Sequence, residues 1–149
     1  MSNEILLRGN PGIREVKATA AITPGHLVDK NTGAVHASAG GNAAPVFADR
    51  QIGKLPDDAY ASGDTVALLE CQGAEGIFAL VAAEATAITK GAPLESAGDG
   101  TLRLHVPQAV DEGGTATYTI NTRAIVAYAS EAVDNSAGET PVRIKVEAV

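Results

Sequence analysis

The chain has no tryptophan, one cysteine, and only two phenylalanines and three tyrosines in 149 residues. Each scarcity excludes something. A lone Cys71 permits no internal disulfide, which fits assembly in a reducing compartment. Set in "VALLECQG", it reads as a small apolar side chain rather than a nucleophile. With 3% aromatics, the chain lacks the stacking platforms that sugar-binding and single-strand-binding modules use. Basic residues are also few. Eleven Lys and Arg stand against eighteen Asp and Glu, for a net charge of −7. The cations are scattered, so no basic stripe exists to displace counterions from a duplex, and nucleic acid is not an expected partner. No apolar run reaches the roughly 18 residues that span a bilayer, so no membrane association is expected either. The opening "MSNEILLRGNPG" lacks the basic-then-apolar plan of a secretory signal, which predicts a chain made in the cytoplasm and starting near Met1.

What the chain has is small apolar residues, glycine, and a phrase said twice. "AITPGHLVDKNTGAVH" starts at Ala21 and "AITKGAPLESAGDGTLRLH" starts at Ala87. In Thr23-Pro24-Gly25-His26, proline presets the second position of a β-turn and glycine supplies the positive φ that a type II turn needs at the third. Thr89-Lys90-Gly91-Ala92 repeats the glycine, and Ala61-Ser62-Gly63-Asp64 is a weaker echo. Ile22 and Ile88 are 66 residues apart, whereas the Gly25, Gly63 and Gly91 intervals are unequal. Unequal spacing argues against a solenoid or propeller. It leaves two readings, an old duplication or reuse of good turn chemistry.

Period-2 alternation and β-branched content predict strands at 65–70, 76–81, 92–95, 101–106, 116–120, 124–129 and 142–147. The first two, joined by Cys71–Glu75, read as a hairpin. The third and fourth flank Asp99-Gly100, a hairpin turn signal. Val142, Ile144 and Val146 would share one face, with Arg143, Lys145 and Glu147 on the other. One helical turn each is allowed at 48–52 and 81–85. Loops are expected at 37–45 and 132–140. The fold expected is all-β: a compact β-sandwich or β-barrel of short strands with Gly-rich turns, plus an extended N-terminal arm. The arm is residues 1–20 and the single β domain residues 21–149. Structural turns are assigned to Pro24, Gly25, Gly63, Gly91 and Gly100.

Catalytic motifs are missing: no P-loop, no dinucleotide fingerprint, no nucleophile elbow. His26, His36 and His105 lack close ligand spacing, although His36 and His105 would come to equivalent strand ends if the two phrases fold alike. Asp57-Asp58 and Asp111-Glu112 are adjacent loop acids without calcium-loop spacing, read as solvated turns. Neither a catalytic residue, a cofactor nor a metal is assigned. In the arm, Ile5, Leu6, Leu7 and Arg8 precede a breaker-rich stretch. They read either as an edge strand or as a segment laid on a neighbouring chain.

With these residues in view, the chain resembles the small decoration, or cement, proteins of tailed-bacteriophage capsids. The resemblance runs through "ITPGHLV" from Ile22, "SGDTV" from Ser62, "GIFAL" from Gly76, "ITKGAPL" from Ile88, "IVAYASEA" from Ile125 and the closing "VRI" from Val142. It spans roughly residues 20–146. Residues 1–20 and the insertion 107–114 depart from the shorter members. The resemblance implies a β-rich domain, often a trimer, on the outer capsid surface of the virion. There it would clamp neighbouring major capsid protein subunits, with Ile5–Arg8 as a capsid-contacting arm and no enzymatic activity. A receptor- or glycan-binding module on a virion or cell surface is the alternative, and a hydrolase using loop acids a third.

Overall fold

The computed structural model describes residues 3–111, 113–114, 116–119 and 121–149. The described residues are all β, without a helix, as expected. In chain order the strands are β1 (Leu6–Arg8), β2 (Gly12–Lys17), β3 (Val28–Asp29), β4 (Ala34–Val35), β5 (Val46–Ala48), β6 (Thr65–Glu70), β7 (Gly76–Val81), β8 (Pro93–Ser96), β9 (Leu102–Leu104), β10 (Gln108–Asp111), β11 (Ala116–Thr119), β12 (Ala127–Ala129) and β13 (Val142–Ala148).

Five of them close a barrel in the order β7-β13-β12-β8-β9, sealed by a parallel contact between Val81 of β7 and Leu102 of β9. The earlier strands run the same circuit. β2 pairs with β6 and β6 with β5; Leu27 then bridges to Phe47, and β3 pairs with β4. Thr19 N–H donates to Gly33 C=O at 2.9 Å to close the ring, as Ala82 N–H does to Leu102 C=O at 2.9 Å in the later one.

The correspondence is residue by residue. Ile22 exchanges both backbone bonds with Tyr60, and Ile88 does so with Val133. The turns that follow close alike, His26 N–H to Thr23 C=O at 3.0 Å and Ala92 N–H to Thr89 C=O at 3.1 Å. Gly25 donates to Ala48 C=O, and Gly91 to Ala129 C=O. Val28 faces Val35 as Leu94 faces Leu104. His36 donates to Leu27 C=O and His105 to Pro93 C=O, each at 2.9 Å. Cys71 donates to Pro45 C=O and Val149 to Val126 C=O. So many matched ladder bonds across two halves do not arise from turn chemistry alone. The chain is an internal duplication: β2 to β6 form one copy of the plan, and β7 to β13 the other, with β10 and β11 inserted.

The halves share one core. Leu27, Phe47 and Leu69 of the first pack with Ile77, Val81, Leu94, Leu102, Val126, Ile144 and Val146 of the second. A smaller cluster of Ile22, Val28, Val46, Tyr60, Val66 and Leu68 fills the first barrel. With so few aromatics, this shared aliphatic core carries most of the apolar burial, at about 25 cal/mol per Å².

Several expectations are corrected. β6 and β7 are not a hairpin. Both ladder edges of β6 are taken by β2 and β5, so Cys71–Glu75 carries the chain from one half to the other instead. The crossing is tight: Gly73 and Ala74 adopt positive φ, and the buried Glu75 carboxylate accepts the N–H groups of Gln72 and Gly73. Residues 3–20, the described part of the expected arm, are paired into the sheets. β1 pairs with β7, and all six residues of β2 pair with β6. The one-turn helices give way to β5 and β7, whose ladders recruit Ala48 and Val81. The region 107–114, expected as an insertion, contributes β10, which pairs with β11. Of the strand expected at 116–120, Ile120 lies outside the described residues.

Candidate interaction surfaces

The turn glycines fall where positive φ is needed. Gly25, Gly63 and Gly91 sit at φ +92°, +90° and +85°, each third in a turn closed from the first residue to the fourth. Around Gly63 and Gly91 a Cβ would meet open space, so φ alone selects glycine there. Gly25 and Gly100 carry a second demand. A Cβ on Gly25 would lie 2.9 Å from Phe78 O, and one on Gly100 2.7 Å from Val35 Cβ. The Gly25 turn is the joint between the halves. Leu80 N–H donates to Gly25 C=O, and Leu27 N–H to Gly100 C=O.

Arg143 holds that joint. Its Nε and Nη2 donate to Pro24 C=O at 3.3 and 2.9 Å, Nη2 also to Pro56 C=O, and Nη1 pairs with Asp57. The strand pattern had placed Arg143 with Lys145 and Glu147 on a solvated face, but its side chain is only 10% exposed. Nothing in the alternation signals that three carbonyl and carboxylate groups converge there.

The expected arm contacts are distributed differently. Ile5 is fully buried in the shared core, and its C=O accepts from Phe78 N–H at 2.8 Å. Leu6, opposite Ile77, is half-buried against the same core, and Leu7 is half-buried as well. Arg8 is exposed and pairs with Glu147 at 2.6 Å. Deleting residues 1–12 would therefore remove a core side chain and the whole β1 ladder, not a detachable arm.

The histidines occupy structural positions. His36 and His105 reach neighbouring residues of β8: His36 Nδ1 lies 2.8 Å from Ser96 Oγ, and His105 Nδ1 2.7 Å from Glu95 Oε2. Glu95 is buried and also accepts from Arg103 Nε at 2.9 Å and Nη2 at 2.8 Å. That cluster was missed, because a single Glu in a strand reads as solvent-facing. His26 Nδ1 accepts from Thr23 N–H at 3.1 Å. Burial pushes its pKa below the ordinary value, Asp99 opposes, and Arg143 adds to the lowering. Burial, helped by Glu75, pushes the Cys71 thiol up to about 12, so it is not a thiolate at neutral pH.

The loop acids are engaged as well. Asp57 meets Arg143, and Asp58 accepts from Leu55 N–H at 2.8 Å, an ordinary turn bond. The side chains of Asp111 and Glu112 lie outside the described residues. Among the described residues, no three His, Cys, Asp or Glu side chains converge as metal ligands.

Neither the known family models nor the curated proteins match this chain. The surface must therefore speak for itself. Its exposed large apolar side chains include Ile52 at 103% and Ile13 at 66%. Ile13 and Glu15 share a face of β2, and Glu15 and Ile52 line one cleft with Tyr60 and Ala67. On the opposite face of β2 from Ile13, Arg14 faces Glu70 at 3.5 Å, and Lys30 reaches the same carboxylate at 2.9 Å.

Proposed function

We propose that this protein is a structural virion component that binds the outer surface of an assembled capsid and stabilises it by bridging neighbouring major capsid subunits. The observation that carries the reading is the internal duplication. A bridge between like subunits needs two like faces, and a chain built twice on one plan presents similar scaffolds from a single rigid body. Many copies on a lattice then act at high effective concentration, so modest single contacts suffice. The side chains with chemical potential support the same reading: Arg143, Glu95, His105, Asp57 and Glu75 are spent on tying chain segments together. Of the four aromatics whose side chains are described, Phe47, Phe78 and Tyr60 are buried and Tyr128 alone is exposed, too few for a stacking platform for glycans. The net charge of −7 keeps such a protein off nucleic acid. By resemblance the working unit is a trimer.

The test is co-sedimentation. The protein is expected to pellet with assembled capsid shells and to leave unassembled capsid subunits in the supernatant. Equal binding to both, or to neither, would reject lattice bridging. Sedimentation equilibrium of the free protein checks the trimer.

A further inference from the structure

The duplication makes one difference between the halves informative. In the second half the outer edge of β7 is covered: Phe78 N–H donates to Ile5 C=O, and β1 lies along Ile77 and Gly76. The position equivalent to Phe78 in the first half is Glu15 of β2, since Leu69 faces Ile13 where Glu147 faces Gly76. Among the described strands, β2 pairs with β6 alone.

The orientation of its backbone follows from the ladder. Asp49 N–H takes Ala67 C=O at 2.9 Å, so Ala67 directs its backbone groups toward β5. Its partner Glu15 is then in a non-hydrogen-bonded pair, and Glu15 points its own N–H and C=O away from the sheet; Ile13 does the same. Ile13, Arg14 and Glu15 are all exposed. An open edge of this kind is a template for another strand.

We propose that the outer edge of β2 is a strand-docking site for an extended segment of a partner protein, apolar on one side and acidic on the other. The apolar side would lie over Ile13 and the fully exposed Ile52, in the cleft that Glu15 shares. The acidic side would face Arg14 and Lys30, which bring two positive charges against the single carboxylate of Glu70. The second half shows that this fold accepts such a strand at this place, because it already holds β1 there. The site serves any partner with that pattern, on a capsid or elsewhere.

The test uses the isotope-labelled full chain and a short capped peptide alternating valine and aspartate, compared with its valine–lysine counterpart. Amide shifts are expected to saturate at residues 12–17 and at Ile52, with the aspartate peptide bound about tenfold more tightly. Glu15→Pro deletes an outward N–H and leaves the bonds to β6 in place. It is expected to abolish the shifts at an unchanged melting temperature. Should that variant not fold, Ile13→Lys combined with Ile52→Glu removes the apolar contact and is expected to weaken binding about tenfold. Shifts centred elsewhere, equal binding of the lysine peptide, or binding retained in the folded variants would overturn the assignment. So would concentration-dependent broadening at residues 12–17 without peptide, which would make a second copy the occupant.

Discussion

His26 and the turn glycines show how single residues set the limits of this molecule. His26 is held below its ordinary pKa of 6.5 by burial, and its Nδ1 is committed as an acceptor from Thr23. The unfolded chain therefore binds a proton that the folded chain resists. Stability is full above about pH 6.5 and falls as the pH drops toward the lowered folded value. Urea midpoints at pH 7.5 and 5 should show this loss, and His26→Gln should flatten it. An unchanged slope in the variant would place the titration elsewhere. Gly91→Ala meets only the left-handed backbone cost, about 1–2 kcal/mol. Gly100→Ala adds an overlap with Val35 and should cost clearly more. Equal destabilisation in denaturant titrations would mean that the Val35 contact yields freely.

At the scale of elements, Arg143 decides how the turn at Pro24 and the loop at Pro56 and Asp57 meet β13. Arg143→Ala leaves two carbonyls and a carboxylate without their donor, an expected loss of about 1.5–3 kcal/mol. Arg143→Lys should recover little, because one ammonium cannot span groups that a planar fork reaches together. Thermal melts of both variants check this; full rescue by lysine would reduce the contact to simple charge. The strands themselves were readable: Thr65–Glu70 and Gly76–Val81 have the bounds expected, although Ile77–Val81 are buried on both faces rather than alternating. Their partners were not. Pairing depends on which edges remain free, and β2, unannounced in the sequence reading, had taken the edge of β6 that a hairpin would need. Arg143 and Glu95 escaped for a related reason. Each looks like a solvent-facing residue in its own strand; the partners of Arg143 lie 86 to 119 residues away, and those of Glu95, namely Arg103 and His105, come only from the return of the chain beside β8. The repeated Ala-Ile-Thr-x-Gly phrase did mark the duplication, and His36 with His105 keeps its register, while elsewhere the equivalent positions share no sequence signal, as Glu15 and Phe78 show.

For the molecule as a whole, the shared core means that neither half owns what it needs. Leu27, Phe47 and Leu69 lie against Ile77, Leu94 and Val146, so separation would strip both surfaces at once. Fragments 1–73 and 74–149 are expected to be largely unfolded alone and to regain β structure when mixed, read by far-ultraviolet circular dichroism. A cooperative melt from either fragment by itself would show that the barrels are independent domains.

The ribbon of β10 and β11 has one more effect. Beside β1, which lines the outer edge of β7 with no equivalent on β2 among the described strands, it is a second mark by which the two like halves differ. The ribbon leaves the chain beyond His105 and, among the described residues, has no counterpart after His36. It works as a pointer that tells one end from the other.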